Sequence, residues 1–122
     1  MSKFDKEVQT RWGETQAFQQ SKERTSKYSP TDFELAKVDQ EAATEAFAYA
    51  CGNSLLVTSA EAQAAVTAHR AAISKWFYDC SVEMQKNLAL MYISDERFKK
   101  YYDERLRSLA QYVHDSIMAQ PN

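Results

Sequence analysis

The sequence predicts an all-α domain, with one compact helical core and a separate N-terminal segment. Only two glycines and two prolines occur in 122 residues, so few positions can break helices or form tight turns. Apolar residues recur at steps of three and four along nearly the whole chain, which is the helical period. A β-sandwich or a nucleotide-binding α/β fold would need more turn residues than this chain has.

The first 30 residues form a thin amphipathic segment. Its apolar stripe at steps of four consists of Phe4, Val8 and Trp12. Gly13 can end that helix, and a second short helix is expected from about 14 to 26. At about 25 cal/mol per Å2, so little apolar area barely offsets the entropy of ordering the segment. We therefore interpret residues 1–30 as a mobile arm or lid on a helical core that comprises residues 31–122.

Two long helices follow the arm. Ser29 is a good N-cap, Pro30 suits the first helical turn, and Gly52 can end the helix. Thr58 and Glu61 resemble a capping box at the start of the next helix. The first apolar stripe comprises Phe33, Ala36, Gln40, Ala43, Phe47 and Cys51. The second comprises Ala62, Ala65, Val66, His69, Ile73, Trp76 and Phe77.

The C-terminal third contains two more predicted helices. Asp79 or Ser81 is expected to cap the first, and the Ser-Asp-Glu sequence at 94–96 begins the second, which we expect to be kinked or broken near Asp103. The inner face of the first comprises Cys80, Met84, Asn87, Leu88 and Met91. That of the second comprises Phe98, Tyr102, Leu106, Leu109, Val113 and Ile117. Helix order does not fix the packing, so globin-like and up-down bundles both remain open.

Composition excludes several classes of protein. A net charge of −2 argues against nucleic-acid binding, because phosphate neutralisation requires a basic surplus. No apolar run approaches the roughly 20 residues that span a bilayer, and the chain does not open with a signal peptide, so we expect a cytoplasmic protein. There is no glycine-rich phosphate loop, G-x-S-x-G elbow, zinc spacing or disulfide framework. We expect no enzyme activity, no cofactor and no metal.

Two polar residues interrupt the apolar stripes. His69 falls between Val66 and Ile73, and Asn87 falls between Met84 and Met91. Because an unpaired buried polar group costs about 1–3 kcal/mol, each needs a partner or a function. One interpretation is a satisfied hydrogen bond in the core. The other is that both stripes line a cleft, where polar groups orient a ligand.

The consecutive residues Trp76, Phe77 and Tyr78 cannot all face one core, so at least one is expected at an edge or cavity wall. Cys80 is a candidate reactive thiol, because a helix N-terminus lowers the pKa of a nearby cysteine. His69 is the one histidine that could serve it as a base, although nothing in the spacing requires this pairing.

Four stretches of the sequence carry a family resemblance. They are RWGETQAFQQSKERTSKY at 11–28, HR at 69–70, YDCSVEMQKNLALMYISDERF at 78–98 and LAQYVHDSIMA at 109–119. Together they resemble the TipAS-type antibiotic-recognition domain, the effector-binding half of TipA-like MerR-family transcription regulators. The resemblance implies a compact, globin-like, all-helical fold without haem. It also implies that large amphipathic antibiotics, thiopeptide-like or albicidin-like, bind in a cleft between helices while the N-terminal arm closes over them.

The resemblance and the apolar stripes together give a set of ligand-binding candidates. These are Trp12, Phe18, Tyr28, His69, Phe77, Tyr78, Met84, Asn87, Met91 and Tyr112. In the thiopeptide-responsive branch of the family, a second cysteine seven residues after the Y-D-C cysteine captures the drug. Here Cys80 matches the first cysteine and Asn87 occupies the second position. Since an amide is not a nucleophile, we expect reversible binding at that site, with the amide available for hydrogen bonds.

The winged-helix DNA-binding domain and coiled coil of a full MerR-type regulator do not occur in this chain. The chain is therefore expected to be an excised domain or a stand-alone form that sequesters its ligand. Two alternatives to ligand binding remain. One is a protein-interaction or dimerisation module whose aromatic surface binds a partner helix. The other is an enzyme or redox sensor that depends on Cys80.

Overall fold

A computed structural model describes residues 15–121, and they are helical throughout, with no strand among them. The helices are α1 (15–25), α2 (Pro30–Gly52), α3 (Ala60–Trp76), α4 (Val82–Ser94), α5 (Glu96–Asp103) and α6 (Leu109–Ala119). The predicted all-α class is confirmed. No helix within the described range is both long and apolar enough to cross a bilayer.

Local capping residues set most helix boundaries. Ser29 begins α2 with a reciprocal capping box to Asp32, which holds two N-terminal N–H groups. Ser81 accepts from the Met84 N–H and caps the start of α4. Of the two predicted caps, Asp79 and Ser81, the structure therefore has Ser81. The predicted box of Thr58 and Glu61 is wrong, because Ser59 caps α3 by accepting from Ala62 N–H.

The predicted break near Asp103 is confirmed as the division between α5 and α6. Asp103 is the last residue of α5, and its carboxylate accepts a 3.0 Å hydrogen bond from the Ala110 N–H at the start of α6. Ser108 lies in the left-handed region with φ of 66° and forms no side-chain cap. Asp103 therefore supplies the cap that Ser108 does not, and the turn between them redirects the chain.

The core forms around α6, which contacts α2, α3, α4 and α5. α2 also packs along α3, and α4 packs along α6. The shared apolar cluster comprises Phe47, Ala65, Val66, Ala89, Tyr92, Tyr102, Leu109, Ala110, Val113 and Ile117. Phe47 is completely buried, and truncating a phenylalanine in such a site costs about 3–5 kcal/mol. Each of α2 to α6 thus contributes at least one side chain to the shared core.

A polar network crosses this core. His69 is 4% exposed; its Nδ1 accepts from Gln85 Nε2 at 2.8 Å, and its Nε2 lies 2.9 Å from the Tyr92 hydroxyl. Gln85 also donates to the Val66 carbonyl, and its own carbonyl accepts from Gln120 at 2.8 Å. The network satisfies these buried polar groups and joins α3, α4 and the end of α6.

Candidate functional site

An open groove separates α1 from α4. Four residues of α4 at positions i, i+3, i+4 and i+7 share one helix face and form one wall. The described residues that line it are Ala17, Phe18, Ser21, Tyr78, Met84, Asn87, Leu88 and Met91, around a volume of about 370 Å3. We call this cavity the α1–α4 groove. Its lining is largely apolar, with the Asn87 amide and the hydroxyls of Ser21 and Tyr78 as the polar groups.

The groove is accessible to a ligand. Phe18 is 71% exposed and Met91 is 40% exposed, so two large apolar side chains at its mouth face solvent. Burial raises the pKa of the Tyr78 hydroxyl to about 12, with a further contribution from Cys80. Tyr78 therefore stays protonated at neutral pH and can donate a hydrogen bond. An apolar cleft with a few polar groups of this kind is typical of small-molecule sites.

A more polar recess adjoins the groove. It shares Ala17 and Met84 with the groove and has a volume of about 520 Å3. The remaining lining residues are Gln16, Gln19, Gln20, Glu23, Asp79 and Ser81. Because α1 contributes lining residues to both cavities, its position affects the shape of each.

Polar contacts attach α1 to the rest of the molecule. Gln20 and Asp79 form two hydrogen bonds. The Gln20 amide donates to the Asp79 carboxylate at 3.3 Å, and the Asp79 N–H donates to the Gln20 carbonyl at 2.7 Å. Arg24 donates to the Ser74 carbonyl at 2.6 Å and to the Asp79 carboxylate at 2.7 Å. These hydrogen bonds lower the pKa of Asp79, the one from Arg24 most strongly. We call this set the Gln20–Arg24–Asp79 clasp.

The helix that the clasp attaches, α1, buries very little apolar surface. None of residues 15–25 is classed as buried, in keeping with the thin stripe of the predicted arm. After α1, the Tyr28 hydroxyl donates to the Trp76 carbonyl, and its ring makes edge contacts with Phe33 and Trp76. Residues 1–14, including Trp12, lie outside the described residues. The division into arm and core at residue 30 therefore stays a prediction.

The structure brings together five of the predicted site residues. Phe18, Tyr78, Met84, Asn87 and Met91 all line the α1–α4 groove. Tyr78 is thus the member of the aromatic triplet at a cavity wall, whereas Trp76 is buried and donates through Nε1 to Asp39 at 2.7 Å.

Four other candidates lie elsewhere. His69 lies in the core network. This position agrees with the interpretation that it forms satisfied hydrogen bonds in the core, and not with the interpretation that it lines a cleft. Tyr112 packs against the core cluster and donates to the Leu55 carbonyl at 2.9 Å. Phe77 is half-buried and Tyr28 is held by Trp76; neither lines the groove.

Cys80 does not have the environment expected of a reactive thiol. It is 7% exposed, and burial raises its pKa to about 11, although the charge of Arg70 acts in the opposite direction. The predicted lowering of its pKa is therefore reversed, because loss of hydration outweighs the nearby helix N-terminus. The His69 ring nitrogens are both engaged by Gln85 and Tyr92, so they are not positioned as a base for this thiol.

Sequence reasoning missed several groove and clasp residues. Ala17 and Ser21 lie one helical turn apart beside Phe18, a spacing that marks them as neighbours once α1 is assigned. Leu88 belonged to the predicted α4 stripe but was not singled out. Gln20 and Arg24 bind Asp79 across more than 50 residues of sequence, and no periodic pattern signals such a pairing.

The chain is similar to several known proteins. A family model described as the TipAS antibiotic-recognition domain matches residues 4–120. The HTH-type transcriptional activators TipA of Streptomyces coelicolor and Streptomyces lividans are each 36% identical over 116 residues, which is 95% of this chain and 46% of theirs. The HTH-type transcriptional activator mta of Bacillus subtilis is 30% identical over 82% of this chain and 38% of its own. The chain thus spans less than half the length of these relatives.

A solved structure supports the same assignment. It is TipAS in complex with nosiheptide, from a thiopeptide antibiotic multidrug resistance system of Streptomyces lividans. The similarity has a TM-score of 0.80 and 36% identity, and covers 95% of this chain and 81% of that one. Sequence, helical architecture and family model therefore agree that this chain belongs to the TipAS antibiotic-recognition domain family.

Proposed function

We propose that this domain binds a large amphipathic antibiotic, of the thiopeptide or albicidin-like kind, non-covalently in the α1–α4 groove. The observation that carries the proposal is the α4 face of Met84, Asn87, Leu88 and Met91, which opens onto a largely apolar groove. Burying such a face against rings of a ligand supplies about 25 cal/mol per Å2. The similar TipAS structure is a complex with a thiopeptide, nosiheptide, which supports this ligand class.

The cavity volumes bear on how such a ligand would bind. The groove of about 370 Å3 and the recess of about 520 Å3 each fall in the usual range for ligand sites. A macrocycle larger than either would insert one edge into the groove and extend along α1 toward the recess. α1 would then lie against the ligand from one side and α4 from the other.

The side chains at and beside the groove support non-covalent binding. Asn87 lines the groove but is not a nucleophile, and Cys80 is buried with a raised pKa. The same facts, with His69 engaged in the core, support a binding domain rather than an enzyme. The relatives are transcription activators of more than twice the aligned length, so the binding step would serve either sequestration or signalling to a MerR-type DNA-binding domain. A cytoplasmic location stays a prediction.

Isothermal titration calorimetry with nosiheptide tests the site. Met91 in the groove and Met118 on α6 are 40% and 41% exposed, so Met91→Lys and Met118→Lys form a matched pair. A lysine in the groove would place a charge against apolar rings, and we expect Met91→Lys to weaken binding about tenfold or more. Met118→Lys should bind like the wild type. Equal affinities of both variants and the wild type would refute the proposed site.

Intact-mass spectrometry tests the non-covalent part separately. After incubation with nosiheptide and denaturation, the protein should keep its unmodified mass. A stable adduct would contradict the prediction and identify a reactive thiol by peptide mapping.

A further inference from the structure

A second cavity, separate from the α1–α4 groove, lies between α2 and α5. It has a volume of about 350 Å3 and is lined by Lys37, Gln40, Glu41, Tyr92, Arg97, Phe98, Tyr101 and Tyr102. We call it the aromatic cavity. Among the described residues, the two cavities share none of their lining, because Met91 and Tyr92, although adjacent in sequence, lie on different faces of α4.

Four rings form the floor and walls of the aromatic cavity. Tyr92 and Tyr102 are 7% and 4% exposed and form the floor, with ring centroids 5.1 Å apart. Phe98 and Tyr101 stand at its edge with about a third of their surfaces exposed, each within 5.0–5.6 Å of a floor ring. A planar ring placed there could contact several faces and edges at once, which is the geometry that aromatic groups favour.

Contacts outside the aromatic cavity hold these rings in place. The Tyr92 hydroxyl is fixed by His69 at 2.9 Å. The Tyr101 hydroxyl donates to Glu41 at 2.9 Å, and the Arg105 guanidinium lies 5.3 Å from the centre of the Tyr101 ring while also pairing with Glu41. The walls are therefore preorganised, so a ligand would lose little free energy in ordering them.

Lys37 is the lining cation that could face an anionic group. The lining includes two cationic side chains, Lys37 and Arg97, and one anionic side chain, Glu41. The Arg97 guanidinium is paired with the Asp95 carboxylate at 2.9 Å, which neutralises part of its charge. The Glu41 carboxylate is bound by Tyr101 and by Arg105, which lower its pKa and neutralise part of its field. A ligand that brings a carboxylate or sulfonate to the rim would therefore meet Lys37.

We propose that the aromatic cavity is a second ligand site, which binds small planar aromatic anions independently of the α1–α4 groove. The cavity size suits a ligand of one or two fused rings with an acidic substituent. The floor and walls would stack against the rings, and Lys37 would face the acidic group. This proposal does not rest on antibiotic binding in the groove.

Fluorescence titration with 8-anilinonaphthalene-1-sulfonate tests the proposal, because this probe is a fused-ring sulfonate that brightens in apolar sites. Phe98→Ala should weaken binding about 3- to 10-fold by removing one ring contact. Lys37→Gln should weaken it about threefold and reduce its salt dependence, whereas Lys99→Gln, a charge change elsewhere on α5, should have no effect. Far-UV circular dichroism verifies that each variant remains folded.

Competition separates the two sites. Probe affinity should be unchanged in Met91→Lys and at saturating nosiheptide. Loss of probe binding in Met91→Lys, displacement by nosiheptide, or wild-type affinity in both Phe98→Ala and Lys37→Gln would overturn the proposal. The arms with Met91→Lys, Phe98→Ala and Lys37→Gln do not require nosiheptide to bind, so the two proposals fail separately.

Discussion

Acidification should destabilise the domain through His69, because this histidine is buried in a network that suits its neutral form. Burial lowers its pKa from 6.5 to about 4. Since the unfolded chain binds the proton more readily than the folded one, the stability that neutral His69 confers is fully present above pH 6.5. It is lost progressively as the pH falls toward 4. The full difference corresponds to about 3 kcal/mol at about 1.36 kcal/mol per pH unit.

The pH interval between the two pKa values of His69 allows a quantitative test. Between pH 7.5 and 5.5, His69 should lower the free energy of unfolding by about 1 kcal/mol. His69→Gln keeps a side chain that can hydrogen-bond to Gln85 and Tyr92 but cannot titrate. Urea unfolding followed by circular dichroism at several pH values gives the free energy for both proteins, and the background from carboxylates cancels in the comparison. Parallel pH profiles for the wild type and His69→Gln would refute this reasoning.

Three further predictions concern single contacts. The buried Ser116 hydroxyl has no hydrogen-bond partner among residues 15–121, so Ser116→Ala should raise the free energy of unfolding by about 1 kcal/mol in urea; an equal decrease would contradict the structure. In a Cys51→Ala background, Cys80 should react slowly with Ellman's reagent at pH 7.5 and rapidly in guanidinium chloride, because its thiolate fraction is on the order of 0.1% or less. Equal rates would contradict its burial. Asp79→Ala removes the partner of Arg24 and should speed amide exchange across α1 but not across α3; unchanged exchange in α1 would show that the clasp does not hold that helix.

The fold was largely predictable because its helices are marked locally. Ser29 and Asp103 cap the starts of α2 and α6, and α2 ends at Gly52; such signals act within a few residues. The wrong prediction of a capping box at Thr58 is also explained by local sequence. Ser59 competes for the same turn, and periodicity does not decide between adjacent hydroxyl residues.

The candidate site was predictable only in part. The stripe through Met84 and Met91 indicated one face of α4 correctly, but that face lines the groove, whereas the core face carries Gln85, Ala89 and Tyr92. An apolar stripe does not distinguish a wall open to a ligand from one packed in a core, since both consist of similar side chains.

The environments of His69 and Cys80 depend on residues distant in sequence. His69 becomes a core residue because Gln85 and Tyr92 satisfy both of its ring nitrogens. Cys80 lies near a helix N-terminus, as its position indicated, but tertiary burial reverses the direction of its pKa shift. Neither the pairing nor the burial is encoded in local spacing.

The polar character of the α1 attachment has a thermodynamic consequence. Separation of α1 would break the hydrogen bonds of the clasp but expose little additional apolar surface, because none of residues 15–25 is buried. Apolar exposure raises heat capacity and polar exposure lowers it, so this separation would carry almost no heat-capacity change. A ligand that fills the space between Phe18 and Met91 would supply the missing apolar contact. Its association should therefore show a large negative heat-capacity change that originates in the ligand contacts rather than in the ordering of the helix.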